Sequence, residues 1–349
     1  MIFSLRRSIS TFTLVLLAIS AGAKEKDSAL RRTTPVPADQ PVPIIDFFRP
    51  PLFRNPELNP AGTHFAAMVS TKEDLTDLIA LELATGKIER LTGGSGLDIN
   101  QYEWLNDSRL FFSVIQDKLY SYGLYAAELG HFSAAYPLQA YNAIIPIGFP
   151  REHPLQAILW IRQSARHEGV DGGVIRIDTR RTFSTSWNMA SAVDHDGIRA
   201  DILETYPNPD GGDTTGYLAD RNGELAFAIT VKDGVPTLSR YAARKWIRCP
   251  VNLEDTSIVD VGDKADELLA LGPKIAGKPR ALYRLNAATG EFGEKLFEDE
   301  KYDFVGVRLY RHPIDHHILG VQYSRRGPQS KWGDEGYARI QEAVENAFP

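Results

Sequence analysis

The feature that most constrains this chain is a turn-and-strand unit that returns at a fixed interval. Leu58-Asn59-Pro60-Ala61-Gly62-Thr63-His64-Phe65 reappears in outline as Trp104-Leu105-Asn106-Asp107-Ser108-Arg109-Leu110-Phe111, 46 residues further on. The apolar run around Ile158 comes about as far along again. A second unit, a strand, a Thr-Gly turn and a returning strand, is shared by Ile79–Lys87 and Leu282–Glu291. A period of roughly 40 to 50 residues built from short strands is the spacing of propeller blades. A β-sandwich needs no such recurrence.

The strands are legible one by one. His64–Val69, Leu78–Leu83, Leu110–Ile115, Ala157–Ile161 and Leu225–Val231 are short apolar or alternating runs, and most follow a cluster of Asn, Asp, Gly or Pro. Those clusters supply the backbone conformations that hairpins need. From residue 44 to residue 349 there are 306 residues, room for six or seven blades. The expected fold is all-β, a β-propeller with six recognisable blades beginning near residues 54, 98, 143, 191, 252 and 301. An incomplete seven-bladed ring also fits that length. The acidic, glycine-rich stretch Asn208-Pro209-Asp210-Gly211-Gly212-Asp213 reads as a solvent-facing insertion in the fourth blade. At the C-terminus Asp334 is placed to cap a short helix, with Glu335 in its first turn and Tyr337, Ile340, Val344 and Phe348 along one apolar face.

The N-terminus has a separate logic. Arg6 and Arg7 precede the apolar run Phe12–Ile19, and Ala21-Gly22-Ala23 supplies small residues for cleavage before Lys24. This is the pattern of an export signal, and the run is shorter than the roughly 20 residues that span a bilayer. Residues 24–43, charged and carrying Pro35, Pro37, Pro41 and Pro43, offer almost nothing to bury and read as a disordered leader. The domain from 44 onward opens on Phe47 and Phe48, expected in its core. The mature protein is expected to be secreted or periplasmic, with no membrane association after cleavage. The formal net charge of −6 and the lack of a basic stripe argue against nucleic acid as a partner. The single cysteine, Cys249, excludes an intramolecular disulfide and a cysteine-based zinc cluster, and reads as a small buried apolar residue.

The search for chemistry returns little. Ser95 has Gly93 two places before it but Leu97 two places after, so the Gly-x-Ser-x-Gly elbow is missing. Gly272-Pro273-Lys274-Ile275-Ala276-Gly277-Lys278 imitates a phosphate loop, but Pro279 stands where a hydroxyl is needed and a strand follows instead of a helix. His312, Asp315 and His316 offer two imidazoles and a carboxylate, the donors of a metal site, but a polar turn between Val307–Tyr310 and Ile318–Val321 explains the segment and its flanking strands without help and is the preferred reading. Asp194-His195-Asp196-Gly197 reads as a turn, and Trp104, Trp160, Trp187, Trp246 and Trp332 read as blade core. No residue is assigned a catalytic, cofactor-binding or metal role, and no cofactor is expected.

Several stretches, in order, resemble the N-terminal propeller of secreted members of the prolyl oligopeptidase family of serine peptidases. They are Asp46-Phe47-Phe48, Asn59–Thr63, Leu83–Lys87 with Arg90-Leu91-Thr92, Trp104–Leu110, and Tyr302-Asp303 through Val321-Gln322-Tyr323 to Pro349. Trp104-Leu105-Asn106-Asp107-Ser108-Arg109-Leu110 is the most specific. The resemblance implies a propeller that caps an active site and admits short peptides. It also implies a partner, an α/β-hydrolase domain in cis or in trans, because the domain that carries the Ser, Asp and His of that family has no counterpart in these residues, and the final blade reads as missing or cut short. The chain is thus expected to gate substrate without being catalytic. The alternatives are a stand-alone extracytoplasmic binding scaffold and a propeller enzyme with a metal or acid/base site in its central channel.

Overall fold

Among the described residues, 23 strands of the computed structural model fall into six antiparallel sheets, each built from strands consecutive in the chain. The structure describes residues 39–44, 51–70, 75–91, 97–117, 120–132, 135–140, 144–161, 173–180, 201–312, 315–324 and 327–347. The first sheet holds β1 (Phe53–Leu58), β2 (His64–Ser70), β3 (Thr76–Glu82) and β4 (Ile88–Leu91). The second holds β5 (Leu97–Trp104), β6 (Arg109–Gln116), β7 (Tyr120–Glu128) and β8 (Tyr136–Ala140). The third holds β9 (Ile144–Gly148), β10 (Gln156–Ile161), β11 (Val174–Asp178) and β12 (Asp201–Tyr206). The fourth holds β13 (Asp213–Ala219), β14 (Leu225–Lys232), β15 (Val235–Ala242) and β16 (Lys245–Arg248). The fifth holds β17 (Ser257–Val261), β18 (Glu267–Leu271), β19 (Leu282–Asn286) and β20 (Phe292–Phe297). The sixth has three strands, β21 (Val305–Arg311), β22 (Ile318–Ser324) and β23 (Pro328–Trp332), and one helix follows, α1 (Glu335–Ala347).

The chain is a six-bladed β-propeller. The first strand of each blade is innermost: β9 touches β13, β13 touches β17, and β17 touches β21. The core is a set of layers between blades rather than one central mass. Strand β6 shows why its sequence is apolar on both faces. Phe112 packs with Met68 and Leu78 of the first blade, while its neighbour Phe111 packs with Leu159 and Ile177 of the third. Alternate side chains of a strand point to opposite faces, so a middle strand of a blade serves two layers. Similar layers join the fourth blade to the fifth, through Phe227, Leu238, Leu268 and Leu285, and the fifth to the sixth, through Leu269, Leu282, Phe304 and Val321. Each such side chain contributes about 1.5–3 kcal/mol by leaving water. Cys249 lies in the layer between fourth and fifth blades, 3% exposed, as its composition class suggests.

In all six blades the register between first and second strand slips at least once, between Arg54 and Glu57, Ile99 and Gln101, Ile158 and Leu159, Thr214 and Gly216, Ile258 and Asp260, and Val305 and Arg308, and a second time in the fourth and sixth blades. A bulge bends and twists its strand and re-aims the side chains beyond it. The Thr-Gly turns seen in sequence are equivalent positions of the first and fifth blades. Gly86 and Gly290 have φ of 74° and 75°, and their N–H groups donate to Glu82 O at 2.8 Å and Asn286 O at 2.7 Å.

Three expectations need correction. Blades begin at Phe53, Leu97, Ile144, Ser257 and Val305, close to the expected positions, but the fourth begins at Asp213 rather than near 191. Residues 201–206 are the outer strand of the third blade, displaced from β11 by a long connection, so the period overran there. The 208–213 stretch is accordingly the link between third and fourth blades and not an insertion within the fourth. The helix is capped as expected, Asp334 Oδ1 accepting from the N–H of Gly336 at 2.8 Å and Tyr337 at 3.0 Å, but its apolar stripe is not buried. Ile340 and Val344 are each 53% exposed, and among the described stripe residues it is Tyr337 that docks, stacked on Trp332, helped by Gln341 bonded to the Trp332 indole. The export signal, most of the leader, and Phe47, Phe48, Ser95, His167, Trp187, His195 and Phe348 lie outside the described residues.

Candidate functional site at the channel mouth

Because consecutive strands run antiparallel in chain order, the six hairpins joining first to second strands open on one face of the propeller. Three are shaped by the same device, a side-chain oxygen that gathers the backbone N–H groups of the turn. Asn59 Oδ1 accepts from Thr63 at 2.8 Å and His64 at 3.0 Å, Asn106 Oδ1 from Ser108 and Arg109 at 2.9 Å each, and Asp220 Oδ1 from Asn222 at 2.8 Å and Glu224 at 3.0 Å. The hairpins are then bonded blade to blade. Asn59 Nδ2 donates to Asp107 O and Ala61 N–H to Asp107 Oδ1, both at 2.8 Å. Asn106 Nδ2 lies 3.4 Å from Pro154 O, and Arg151 N–H donates to Asn222 O at 2.9 Å. Gly223, at φ 80°, lets Phe149 O pass where a Cβ would lie 2.0 Å away. On the fifth blade Asp266 receives Arg240 at 3.1 Å, and Arg311 of the sixth reaches Asp260 at 3.2 Å.

Inside this belt the first strands end on ionisable groups. Glu57, one residue from the end of β1, and Glu103, one residue from the end of β5, hold equivalent places in adjacent blades. The β1 bulge at Asn55 and Pro56, with Asn55 at φ 48°, resets the register just before Glu57. Both residues are exposed, but enough protein surrounds their carboxyls to disfavour the charged form. Burial, and then the Glu103 charge, push the Glu57 carboxyl up from 4.5 to about 7. Burial also raises Glu103. Among the described residues neither carboxylate has an ion pair or hydrogen bond to offset this. Tyr102 anchors the wall between them, its hydroxyl 2.9 Å from Ala66 O and closer to Asn55 O, and burial followed by the two glutamates holds its ionisation far above the usual range.

On the fifth and sixth blades the hairpin face carries paired charges. Arg311, at the end of β21, donates to Asp260, to Val261 O and, at 2.8 Å, to His316 O. Burial first, and then Arg151 and Arg311, lower the His316 imidazole. Arg151 belongs to the third blade and His316 to the sixth, which face one another across a six-membered ring, so the β21–β22 hairpin sits where it feels the opposite side of the mouth.

The same hairpin carries the histidine cluster, in a different arrangement from the one its spacing suggests. His312, Asp315 and His317 come together; His316 does not join them. A left-handed His316, φ 56°, separates its side chain from the other two. His317 Nδ1 is 2.6 Å and His312 Nδ1 2.9 Å from the same Asp315 oxygen, and the two rings stack with centroids 4.9 Å apart. The His317 hydrogen bond is the main reason the Asp315 carboxyl is lowered to about 2.

The other candidate motifs fall on scaffold. Residues 272–278 are the hairpin between β18 and β19, so the phosphate-loop imitation has a strand behind it. Trp104, Trp160 and Trp246 pack in the layers between blades. Trp332 is sandwiched by Tyr310 and Tyr337. His64, His131 and His153 lie on or beside turns. Glu57 and Glu103 were not singled out by sequence reasoning, although the signal existed: they are 46 residues apart, the repeat interval itself.

No family profile matches the sequence, and no curated protein matches it. Solved structures do share its architecture. The β-propeller domain of the trilobed protease from Pyrococcus furiosus, described as having an open velcro topology, is 10% identical, with 81% of this chain and 85% of that one covered and a TM-score of 0.45. An oligogalacturonate lyase in complex with manganese is 13% identical, over 79% of this chain and 74% of that one, at 0.49. Oligopeptidase B from Leishmania major is 11% identical, over 78% of this chain but 37% of that one, at 0.49. At these identities the likeness concerns the fold.

Proposed function

We propose that this chain is the substrate-admitting propeller of a secreted serine peptidase related to the prolyl oligopeptidases, receiving short peptides at its hairpin face and performing no covalent step itself. The observation that carries this reading is the acidic pair at the mouth. The carboxyls of Glu57 and Glu103, equivalent places on adjacent blades, match the ammonium end of a short peptide. The blade motifs described above, Trp104–Leu110 above all, supply the family context. In this reading the nucleophile belongs to a hydrolase domain in cis or in trans. Residues 1–23 direct export and are removed.

The purified chain is incubated with short fluorogenic peptides and a serine-directed phosphonate, and peptide binding is followed by calorimetry. The expected result is no turnover, no labelled serine, and binding of peptides of three to six residues that weakens when their termini are capped. Turnover with stoichiometric labelling of one serine, or equal affinity for capped and free peptides, overturns the reading. A second reading, an acid/base site of the propeller's own, is favoured by the Glu57 carboxyl near 7, a value suited to proton transfer at neutral pH. Turnover without a labelled serine that is lost in Glu57→Gln distinguishes it.

A further inference from the structure

We propose that His312, Asp315 and His317 form a binding site for one divalent first-row transition ion, of the zinc class, on the β21–β22 hairpin. The ligand atoms already converge: one donor from each residue lies within 4.8 Å of the others. A metal bonded at about 2.0–2.1 Å to nitrogen and about 2.0–2.2 Å to oxygen places neighbouring donors about 2.9 Å apart at right angles and about 3.4 Å apart in a tetrahedron. The two nitrogen–oxygen separations here are 2.9 and 2.6 Å. Side-chain adjustments of less than about an ångström therefore open the cluster to an ion, with no change in the backbone.

The second observation is an orphaned atom. His312 Nδ1 is shielded from water and has no hydrogen bond, although Asp315 Oδ1 is 2.9 Å away, because the two are misaligned. His317 holds that oxygen in a proper hydrogen bond. Asp315 Oδ1 is aligned with His317 and not with His312, which leaves His312 Nδ1 unsatisfied, and a cation between the three groups satisfies all of them at once. A buried polar atom without a partner is costly, and its presence calls for a ligand. Two imidazoles and a carboxylate suit zinc and its first-row neighbours better than calcium or magnesium, which prefer all-oxygen shells.

The backbone supports the geometry. His312 N–H donates to His317 O and His316 N–H to His312 O, both at 2.9 Å, so the ends of the hairpin that carry the two imidazoles are locked together. Arg311, the residue before His312, clamps this hairpin to the fifth blade through Asp260. Three protein ligands leave the remaining coordination positions to water, or to an anionic group arriving at the mouth.

The test uses the full chain without an affinity tag of histidines, stripped with chelator and titrated with Zn²⁺ and with Co²⁺. The expected result is one ion per chain, with visible Co²⁺ absorption, and affinity lowered at least about ten-fold in His312→Ala, Asp315→Asn and His317→Ala. His316→Ala and His64→Ala should bind as the parent does. Melting curves of the metal-free variants establish that each is folded. X-ray absorption of the zinc-loaded parent gives an independent reading, two imidazoles per ion. No one-to-one binding at tens of micromolar, binding that survives in the double variant His312→Ala/His317→Ala, or a zinc spectrum without imidazole scattering overturns the proposal.

Discussion

Replacing Glu57 with glutamine is expected to stabilise the protein above neutral pH and to leave it unchanged in acid. The folded-state carboxyl titrates at about 7, against an ordinary value of 4.5. Below about 4.5 both folded and unfolded chains carry the proton, so the shift contributes nothing. Between the two values the folded chain retains a proton that the unfolded chain has lost, and stability falls as pH rises. Above about 7 the full cost of an ionised, walled-in carboxylate beside Glu103 is present. Undiluted, a shift of this size corresponds to about 3 kcal/mol. Water reaches the side chain, and screening reduces the figure to the order of 1 kcal/mol. Urea denaturation of parent and Glu57→Gln at pH 4.5 and pH 8.5 is the assay: equal midpoints in acid, and a variant more stable by about 1 kcal/mol in base. Glu103→Gln should draw the Glu57 midpoint part of the way back toward 4.5. A stability difference independent of pH, a less stable variant at pH 8.5, or a Glu57 carboxyl ¹³C titration centred near 4.5 would refute the reasoning.

The twin Thr-Gly turns separate backbone strain from crowding. Gly86→Ala should cost roughly 1–2 kcal/mol for a left-handed alanine in open space, and Gly290→Ala clearly more, because its Cβ would lie 2.2 Å from Pro250 O; urea midpoints measure both. Arg109, 4% exposed, bonds Glu128 at 2.8 Å and Thr179, so Arg109→Met should cost about 3–5 kcal/mol by chemical denaturation, with part recovered when Glu128→Gln is added. Burial raises the Cys249 thiol to about 11, so Ellman's reagent should leave the native chain unlabelled at pH 8 and find one thiol after unfolding.

The repeat was readable because blade-to-blade bonding needs the same turn chemistry each time. The Asn59 and Asn106 turns look alike in sequence since both gather backbone N–H groups and both are tied to the next hairpin. The fourth blade was misplaced because a fixed period has no means of registering a long connection inside the third. The α1 stripe misled for a different reason. Helical spacing reports which residues share a face, not whether a neighbour covers it, and the aromatic stack on Trp332 decided the docking instead. In the histidine cluster, spacing groups His316 with His312 and Asp315, whereas His317 is the imidazole beside them, because one left-handed residue reverses the order of side chains. The Glu57–Glu103 pair is a relation between two blades, invisible to any local window.

The belt of hairpin bonds also governs how the chain reaches its fold. The residues it joins are 26 to 71 apart in sequence, from Arg240–Asp266 at 26 to Arg151–Asn222 at 71, with Ala61–Asp107 at 46 and Asp260–Arg311 at 51 between them. Closing a loop costs entropy that grows only with the logarithm of its length, so docking each blade costs nearly the same as docking the one before. A single bond spanning the 306 residues from 44 to 349 would cost about 1.6 kcal/mol more than one spanning a blade. The mean span of a contact is therefore set by the repeat rather than by the length of the protein, and rate barriers tied to long-range pairing do not mount with blade number. As the chain emerges during synthesis, each blade has its docking surface waiting in the one just completed.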